Sequence, residues 1–288
     1  MTRGIVFLNV CSRYAFPLAV AIATLRKFCD APVAIICDKD SGLGTALEIA
    51  KGNQWGDILV APQWGIHERF IEQETWAYLF KTRLPALSPF KETLFLDSDI
   101  VVTGDISELW PQPGDAAVLT KRNGGRHQNL KARLRCRKWA HVDAARAARS
   151  QNRAYPYPPI NTGVMAFGRD SGAFCAEWRR LAEANPIHSC DEQAVQLIYP
   201  DFPVRLVDYR YNASIIHDQH LSDVRIWHGV GRKFWTDPRG RQIWLPAAKW
   251  CLQENLGNAR ELLHTFAWAG GRTWRELQCA ARGYNCDP

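Results

Sequence analysis

The chain has 288 residues, of which 47% are hydrophobic, so it is long enough to bury the core of one large α/β domain or two small ones. No run of about 18 uncharged apolar residues occurs, and a membrane-spanning helix is therefore not expected. The formal net charge of +7 is mild for this length but unevenly spread. Eight Lys or Arg and no Asp or Glu lie between residues 121 and 138, which predicts an anionic partner or a solvated basic face.

The N-terminal residues allow two interpretations, a signal peptide or a buried strand. The apolar run after Arg3 stops at Asn9, and Arg13 and Pro17 interrupt the apolar residues beyond it, so we predict a first strand over residues 4–10. Nine cysteines occur without a CxxC pair, which gives a zinc site little support. They favour free thiols in a reducing, cytoplasmic location, with the two C-terminal cysteines, Cys279 and Cys286, as the best candidates for exceptions.

Strand and helix patterns alternate along the first third of the chain. Continuous apolar runs predict buried strands, and apolar residues at helical spacing predict the helices between them. The alternation is typical of an α/β, Rossmann-like fold with a mostly parallel central sheet and helices on both faces. The predicted strands cover residues 4–10, 32–37, 57–60 and 93–96, and the predicted helices cover residues 17–27, 45–51 and 72–84.

The pattern continues more sparsely beyond residue 115 and weakens after Trp235. A polar, basic segment over residues 121–159 is expected to be helix plus loop. We predict one domain over residues 1–235 and a C-terminal, Trp-rich extension over residues 236–288 that packs on or beside it. Further strands are predicted at residues 115–119, 164–167 and 204–207, and further helices at residues 174–184 and 191–197.

Two carboxylates come directly after the predicted strand over residues 93–96. Asp97 and Asp99 are separated by Ser98, and side chains at i and i+2 of an extended chain point the same way. At the carboxyl end of a parallel strand they would reach the crevice in which ligands bind. Adjacent carboxylates repel each other unless a cation lies between them, and oxygen ligands suit Mg²⁺ or Mn²⁺. The pattern favours a metal that grips a diphosphate, with a capped turn as the alternative.

The sequence around these aspartates resembles the retaining GT-A glycosyltransferases of family 8, which include glycogenin and bacterial lipopolysaccharide galactosyltransferases. The stretch from Leu94 to Trp110 reads LFLDSDIVVTGDISELW and is similar to the family's strand, DxD motif and following D-I-x-x-L-W element. Five more blocks occur in the family's order, so the resemblance covers about residues 4–235. It implies a GT-A fold.

Two blocks imply contacts to the base and the phosphates of a donor. Tyr14 stands where the family has a tyrosine that stacks on uracil, although the acidic residues usual before it are absent. Lys81 lies at the spacing from the DxD motif where the family carries a Lys or Arg that contacts the donor phosphate and sugar, and Arg83 is a rival for this role. A cation beside a diphosphate is also expected physically.

Two further blocks imply contacts to the donor sugar. Asn161-Thr162-Gly163 resembles the family's N-[SAT]-G-V block, which lies under that sugar, and a turn before a strand is the structural alternative. Asp191-Glu192-Gln193 resembles the D-Q-x-x-[LV]-N block, whose Asp binds hydroxyls near the reacting carbon. Asp191 and Glu192 are therefore the predicted catalytic residues, with Glu192 in place of a more usual Gln. An acidic helix N-terminus is the alternative there.

The last block, Trp227 to Trp235, resembles the family's H-x-x-G-x-x-K-P-W element. The resemblance makes His228 the third metal ligand beside the two aspartates of the DxD motif. It assigns Gly231 and Lys233 to the donor diphosphate, with Arg232 as a competitor of Lys233. Ser98 and Gln193 complete the predicted donor-binding set through their places in the matched blocks.

The resemblance implies transfer of a hexose from a UDP-sugar, such as UDP-glucose or UDP-galactose, to an acceptor hydroxyl with retention. The implied cofactor is Mn²⁺ or Mg²⁺, which would act as a Lewis acid on the leaving diphosphate. Same-face substitution and a covalent intermediate on Glu192 both stay open. The identity of the acceptor is left open by the resemblance, which allows a glycan, a lipid-linked acceptor or a protein. The C-terminal tryptophans, with Arg272 and Arg275, would stack on sugars, contact a membrane surface or cover the sheet.

Three other functions compete with this one. A metal-dependent sugar nucleotidyltransferase would favour a Gly-rich loop after the first strand, and residues 9–16 contain no Gly. A nucleic-acid-binding protein would use residues 121–138 but gives no reason for the block around His228, so no nucleic acid is expected as a partner. A non-catalytic relative that only binds sugar nucleotides is opposed by the intact DxD motif and His228.

Overall fold

The structure is a computed structural model. It shows an α/β fold with a mixed, mostly parallel central sheet, as the sequence predicts. The structure describes residues 3–10, 12–38, 58–63, 73–122, 142–151, 157–186, 189–218, 220–229, 233–253, 259–267 and 271–282. The described strands are β1 (Arg3–Asn9), β2 (Val33–Asp38), β3 (Ile58–Gln63), β4 (Glu92–Leu96), β5 (Ile100–Val102), β6 (Ala117–Lys121), β7 (Ile160–Phe167), β8 (Val204–Val207), β9 (Ala213–Ser214) and β10 (Ile226–His228). The described helices are α1 (Ala15–Leu25), α2 (Gln73–Lys81), α3 (Leu84–Leu87), α4 (Ala144–Gln151), α5 (Gly172–Ala184), α6 (Cys190–Ile198), α7 (Lys233–Thr236), α8 (Pro238–Gln253), α9 (Ala259–Thr265) and α10 (Gly271–Ala281).

The chain divides into two compact units, each assembled from segments that are distant in sequence. The first unit comprises residues 1–3, 66–95 and 107–212. The second unit comprises residues 4–65, 96–106 and 213–288. The C-terminal helices α8, α9 and α10 therefore belong to the same unit as the N-terminal strands. The domain boundary at residue 235 stays a prediction.

The second unit contains three parallel strands and a small separate sheet. Its strands β1, β2 and β3 pair in parallel, with Ile5 opposite Val33 and Val33 opposite Ile58. Apart from the half-buried Leu8, the apolar residues of β1 and β2 are buried, as expected for parallel strands that are covered on both faces. In the small sheet, β10 pairs antiparallel with β5 and parallel with β9. This small sheet carries the residues around the DxD motif.

The first unit contains a mixed group of strands and the helices that cover them. Strand β6 pairs antiparallel with β7 and parallel with β8, and every residue of β7 is buried. Helices α5 and α6 pack on each other, and α6 also packs on β7. The register between β6 and β7 shifts between Leu119 and Thr120. Leu119 pairs with Met165 and Thr120 pairs with Asn161, so the extra residues of the bulge lie on β7 between Asn161 and Met165. Such a bulge re-aims side chains near functional sites.

One predicted strand starts earlier than the sequence pattern indicates. The strand predicted over residues 164–167 begins at Ile160, because Ile160 and Asn161 pair with Lys121 and Thr120 beyond the bulge. The Asn161-Thr162-Gly163 block therefore lies inside β7 rather than in a turn before it, so the turn alternative is wrong. Strand β8 has the predicted bounds. The helix predicted over residues 45–51 lies outside the described residues.

The core of the second unit is built around a completely buried helix. All residues of α1 are buried, which is typical of a helix that is apolar on every side, and α1 packs against β5, α8 and α9. Next to it, four aromatic rings form a cluster with centroid distances between 5.0 and 5.9 Å. The cluster consists of Phe16, Trp235, Trp244 and Phe266. Among the C-terminal tryptophans, Trp244 thus covers the core, while Trp268 lies outside the described residues.

The described cysteines are mostly free thiols. Free thiols are present at Cys29, Cys37, Cys175, Cys190 and Cys251, whereas Cys279 is disulfide-bonded, as expected for an exception. Burial raises the pKa of Cys175 and of Cys251 to about 12, so both thiols stay protonated at neutral pH. Cys286, the other predicted exception, lies outside the described residues. None of the described helices has the length and apolar character that crossing a membrane requires.

An ion-pair network in the first unit holds α4 against α5 and the turn after α6. Arg146 pairs with Glu177 and with Asp201, Arg149 also pairs with Asp201, and Arg180 pairs with Glu177. Burial opposes ionisation of Asp201, but hydrogen bonds from Arg149 and Arg146 lower the pKa of its carboxyl overall. The hydrogen bond from Arg180 is the main reason why the pKa of Glu177 is lowered, with burial acting against it. These pairs stabilise the fold only while the carboxylates are ionised.

Replacing Trp244 by Ala should destabilise the protein by about 3–5 kcal/mol, because it removes a fully buried ring from the aromatic cluster. Urea unfolding measures this loss. Trp274, which is only half-buried on α10, provides the matched control as Trp274→Ala. An equal loss in both variants would contradict the core position of Trp244.

The Asp201→Asn variant should unfold at a lower temperature than the parent protein at neutral pH. The difference should shrink as the pH falls through and below 3.8, the ordinary pKa of an aspartate. A carboxyl with a lowered folded-state pKa contributes stability above its unfolded-state pKa and loses it on protonation. Melting temperatures across this pH range measure the effect, with the exposed Asp30→Asn as control. A difference that does not change with pH would rule out the ionic origin.

Candidate functional site

Two carboxylates and an imidazole converge in the second unit. Asp97, Asp99 and His228 each offer one ligand atom, and these three atoms lie within 4.8 Å of one another. The Nε2 atom of His228 is 3.3 Å from Oδ1 of Asp99 and 3.6 Å from Oδ2 of Asp97. His228 and Asp99 are buried and Asp97 is half-buried. The three predicted metal ligands are thus together.

Strand pairing explains how residues so distant in sequence meet. Asp97 and Asp99 lie between β4 and β5, and β10 runs antiparallel to β5 with His228 opposite Ile100. The backbone N–H of Gly229 donates to the carbonyl oxygen of Asp99 over 2.8 Å and continues this ladder. A Cβ on Gly229 would lie 2.2 Å from the ring of Phe234, so only glycine fits there. The pairing fixes the imidazole beside the second aspartate.

Ser98 anchors the turn between the two aspartates. Its hydroxyl donates to the carbonyl oxygen of Leu8, near the end of β1, over 3.0 Å. This hydrogen bond holds the DxD motif against the N-terminal strand. The predicted role of Ser98 in donor binding stays a prediction.

The three side chains fit a divalent cation. Ligands about 2.1 Å from one six-coordinate ion stand about 3 Å apart when they are adjacent, which is close to the distances from His228 Nε2. Two carboxylate oxygens and one imidazole nitrogen form a donor set suited to Mn²⁺ or Mg²⁺, since the charge of the ion offsets the repulsion between the aspartates. Three protein ligands also leave positions for other oxygen ligands. The group is consistent with a divalent metal whose identity the donor set does not fix.

A second group of predicted residues lies in the first unit, around the bulge in β7. Asn161 accepts hydrogen bonds at Oδ1 from the backbone N–H of Gly163, over 2.7 Å, and from Nδ2 of Asn212, over 3.0 Å. Asn212 also donates to the hydroxyl of Thr120, which in turn donates to backbone carbonyls of β7. These hydrogen bonds hold the bulged Asn161-Thr162-Gly163 block in one shape.

Asp191 is the most completely buried acid of this group. Its Oδ2 accepts a hydrogen bond from the hydroxyl of Thr162 over 2.7 Å and lies 3.4 Å from Nζ of Lys81. Trp178 donates to its backbone carbonyl over 2.8 Å. Its Oδ1 is buried and accepts no hydrogen bond from the described residues. Since buried polar atoms are normally paired, this oxygen is suited to bind a hydroxyl of a ligand.

Glu192 and Gln193 come after Asp191 in the first turn of α6. The Glu192 carboxylate forms an ion pair with the guanidinium of Arg122, the residue directly after β6. Gln193 is buried beside them. The residue before the helix, Ser189, has a left-handed backbone with φ of 56°. Strain of this kind at a non-glycine residue costs free energy and is common next to functional sites.

Lys81 and Arg83, the two rivals for one role, have different partners. Lys81 ends α2 and lies beside Asp191, whereas Arg83 pairs with Glu183 of α5 over 3.0 Å. The structure therefore groups Lys81, and not Arg83, with the buried acid of α6. Both residues belong to the first unit.

The remaining predicted residues are less constrained. Tyr14 is half-buried at the start of α1, and the guanidinium of Arg13 lies 5.7 Å from the centre of its ring. Lys233 is exposed at the first position of α7. Gly231 and Arg232 lie outside the described residues, as does most of the basic stretch over residues 121–138.

Two residues of these groups, Arg122 and Thr120, could not be recognised from the sequence. Arg122 belongs to the basic stretch, which predicts an anionic partner or a solvated face. Its partner Glu192 lies 70 residues further along the chain, so the sequence gives no sign of the pair. Thr120 gave no signal at all, because a threonine in a strand is an ordinary strand residue. The unusual Glu at position 192 was the one clue, since a buried acid needs a counter-charge.

The structure is similar to solved glycosyltransferases. The galactosyltransferase LgtC, solved in complex with donor and acceptor sugar analogs, superposes with a TM-score of 0.55 at 14% identity, covering 95% of this chain and 99% of that chain. The glycosyltransferase GlyE of Streptococcus pneumoniae gives 0.58 at 16% identity and covers 86% of this chain and 60% of its own. Mouse xyloside xylosyltransferase 1 gives 0.54 at 10% identity, covering 81% and 99%. No family model and no curated protein sequence matches this chain.

These likenesses establish the fold of the chain. It is the GT-A fold of nucleotide-sugar glycosyltransferases, as the resemblance of the sequence implied. The buried group of Asp97, Asp99 and His228 is consistent with the DxD metal site of that fold. At sequence identities between 10% and 16%, the structural similarity shows the fold alone. It does not identify the donor, the acceptor or the stereochemistry of a reaction for this chain.

Mn²⁺ should raise the melting temperature of the parent protein, because an ion that binds only the folded state stabilises it by mass action. Asp99→Asn and His228→Ala should abolish this shift, since each removes one of three ligands. Thermal melts with and without the ion measure it. Asp223→Asn, which changes an exposed aspartate on the loop before β10, is the matched control and should keep the full shift. An undiminished shift in both ligand variants would exclude this metal site.

Proposed function

We propose that the chain is a metal-dependent glycosyltransferase that moves a hexose from a UDP-sugar to an acceptor hydroxyl with retention. The observation that carries the proposal is the convergence of Asp97, Asp99 and His228 in a fold shared with glycosyltransferases. A metal-ligand group of this composition at the end of a strand suits a diphosphate ligand.

By resemblance, the group of Asp97, Asp99 and His228 would hold the diphosphate of a donor. A divalent metal on Asp97, Asp99 and His228 would supply a Lewis acid that stabilises the leaving diphosphate. Lys233 and Gly231 are assigned to the same phosphates by resemblance, and Tyr14 to the uracil. The exposed position of Lys233 leaves its ammonium free to meet a phosphate.

By resemblance, the group around Asp191 and the β7 bulge would bind a sugar. The buried Oδ1 of Asp191 is ready to accept a hydrogen bond from a sugar hydroxyl, while Lys81 and Thr162 hold the other oxygen in place. Because this carboxylate is fixed before a ligand arrives, it loses little conformational entropy on binding. The bulge at Asn161-Thr162-Gly163 would offer further polar groups to the same sugar.

The proposal is tested by measuring hydrolysis of a panel of nucleotide sugars, with and without Mn²⁺, on the full chain. We expect metal-dependent release of UDP from UDP-glucose or UDP-galactose. UDP-xylose belongs in the panel, because one of the similar structures is a xylosyltransferase. The anomeric configuration of the first product, followed by NMR, tests retention.

Variants connect the activity to the proposed residues. Asp191→Asn should lower kcat/KM by about a hundredfold, because an amide cannot match the charge of the carboxylate beside Lys81. Asp170→Asn is the matched control, since that exposed aspartate of the same unit accepts a hydrogen bond from the backbone N–H of Gly114 and lies outside the proposed sugar-binding group. Equal activity of Asp191→Asn and the parent would remove Asp191 from the mechanism.

The products separate the competing functions. A sugar nucleotidyltransferase would use UTP and a sugar phosphate as substrates and release pyrophosphate. A glycosyltransferase would use a UDP-sugar and release UDP. A non-catalytic relative would show a metal-dependent thermal shift with a sugar nucleotide and no turnover. Absence of any metal-dependent response to every sugar nucleotide in the panel would defeat the proposed function.

A further inference from the structure

The ion pair between Arg122 and Glu192 has no role in the proposed function as it stands. The Glu192 side chain is 8% exposed and that of Arg122 is 16% exposed, so the pair is largely removed from water. A buried carboxylate without a counter-charge is costly, whereas a buried glutamine needs only hydrogen bonds. An acid at position 192 therefore requires a cation that an amide would not.

The other charged groups around α6 already have partners. Lys81 of α2 pairs with Asp191, and Arg149 of α4 pairs with Asp201. Strand β7 carries no charged residue. The charged residues of α5 that face neighbouring elements, Glu177 and Glu183, pair with arginines. Among the described residues, Arg122 is thus the cation that compensates Glu192.

The pair also fixes the direction of the carboxylate. Oε1 of Glu192 accepts from Nη2 of Arg122, and the backbone of Arg122 is held in turn by a hydrogen bond of 2.8 Å from its N–H to the carbonyl oxygen of Pro159. Arg122 is the residue directly after β6, so the guanidinium is attached to a rigid strand end. Glu192 is consequently held from two sides, by its own helix and by this strand end.

We propose that Arg122 is a positioning residue that keeps Glu192 ionised and in one orientation in the proposed transferase. The inference rests on the proposed function, because it gives Glu192 a place near the reacting sugar. Glu192 then acts as a fixed negative charge and hydrogen-bond acceptor, and Arg122 sets its geometry without contacting the donor.

A double-mutant cycle on the full chain tests this role. Arg122→Gln should lower kcat for donor hydrolysis by about tenfold or more, because the Glu192 carboxylate loses both its partner and its orientation. Arg122→Lys should recover part of that loss, since it restores the charge but not the planar guanidinium. The Arg122→Gln/Glu192→Gln double variant should have the same kcat as Glu192→Gln alone, because Arg122 acts only through the carboxylate that this variant lacks.

The matched control is Arg149→Gln, which breaks an arginine–carboxylate pair at the other end of the same helix. It should lower the melting temperature and leave kcat unchanged. A loss of kcat in Arg122→Gln no larger than in this control would overturn the positioning role. The positioning role would also be overturned if the fold-loss of kcat in the double variant equalled the product of the fold-losses in the two single variants, because the two residues would then act independently.

Melting temperatures of the same variants test the pair independently of any activity. The double variant should be more stable than Arg122→Gln, since an unpaired buried carboxylate is less favourable than a buried amide. If the parent protein turns over no sugar nucleotide, the proposed function fails, and this comparison alone decides on the pair. Additive losses in melting temperature would then reject it.

Discussion

Each of the two candidate groups depends on the compensation of its carboxylates. Four acids lie at the ends of strands or in the first turn of a helix, where water contacts are few, and each needs a positive group or a strong donor nearby. Asp191 has Lys81 and the hydroxyl of Thr162, and Glu192 has Arg122. Asp97 and Asp99 have the imidazole of His228. One imidazole cannot balance two carboxylates, and this imbalance is the physical reason to place a divalent cation there.

The same constraint separates structural polar groups from functional ones. Asn161, Asn212 and Thr120 are buried but share hydrogen bonds, so they can serve as a rigid support without any ligand. Asp191 differs, because one of its oxygens is engaged and the other is buried without a donor among the described residues. A half-satisfied carboxylate is unfavourable in the protein alone. It becomes favourable once a ligand supplies the missing donor, which is why Asp191 is a better candidate for sugar binding than its neighbours.

The sequence predicts what depends on local pattern and on ordered motifs, and it fails where a contact depends on packing. The alternation of strands and helices and the DxD motif are local features, and the short strand β8, Val-Arg-Leu-Val, has the predicted bounds. The bulge in β7 was not predictable, since it arises from the register against β6 rather than from the Asn-Thr-Gly letters. The C-terminal helices were obscured by Pro246 inside α8 and by aromatic residues that bury themselves in the core. Which of Lys81 and Arg83 joins Asp191 could be settled only by the position of α2, because both are basic and two residues apart.

The basic stretch shows how a charge pattern divides into separate roles. From the sequence alone, residues 121–138 predict an anionic partner or a solvated basic face. The structure assigns its second residue, Arg122, to the internal carboxylate of Glu192, so this charge is not available to an outside anion. Glu192 stands where a neutral amide is usual in the resembled family, and Arg122 supplies the charge that this replacement requires. Because neither residue is favourable in a buried position without the other, the two are expected to change together, and the acid at position 192 is best understood as half of a pair.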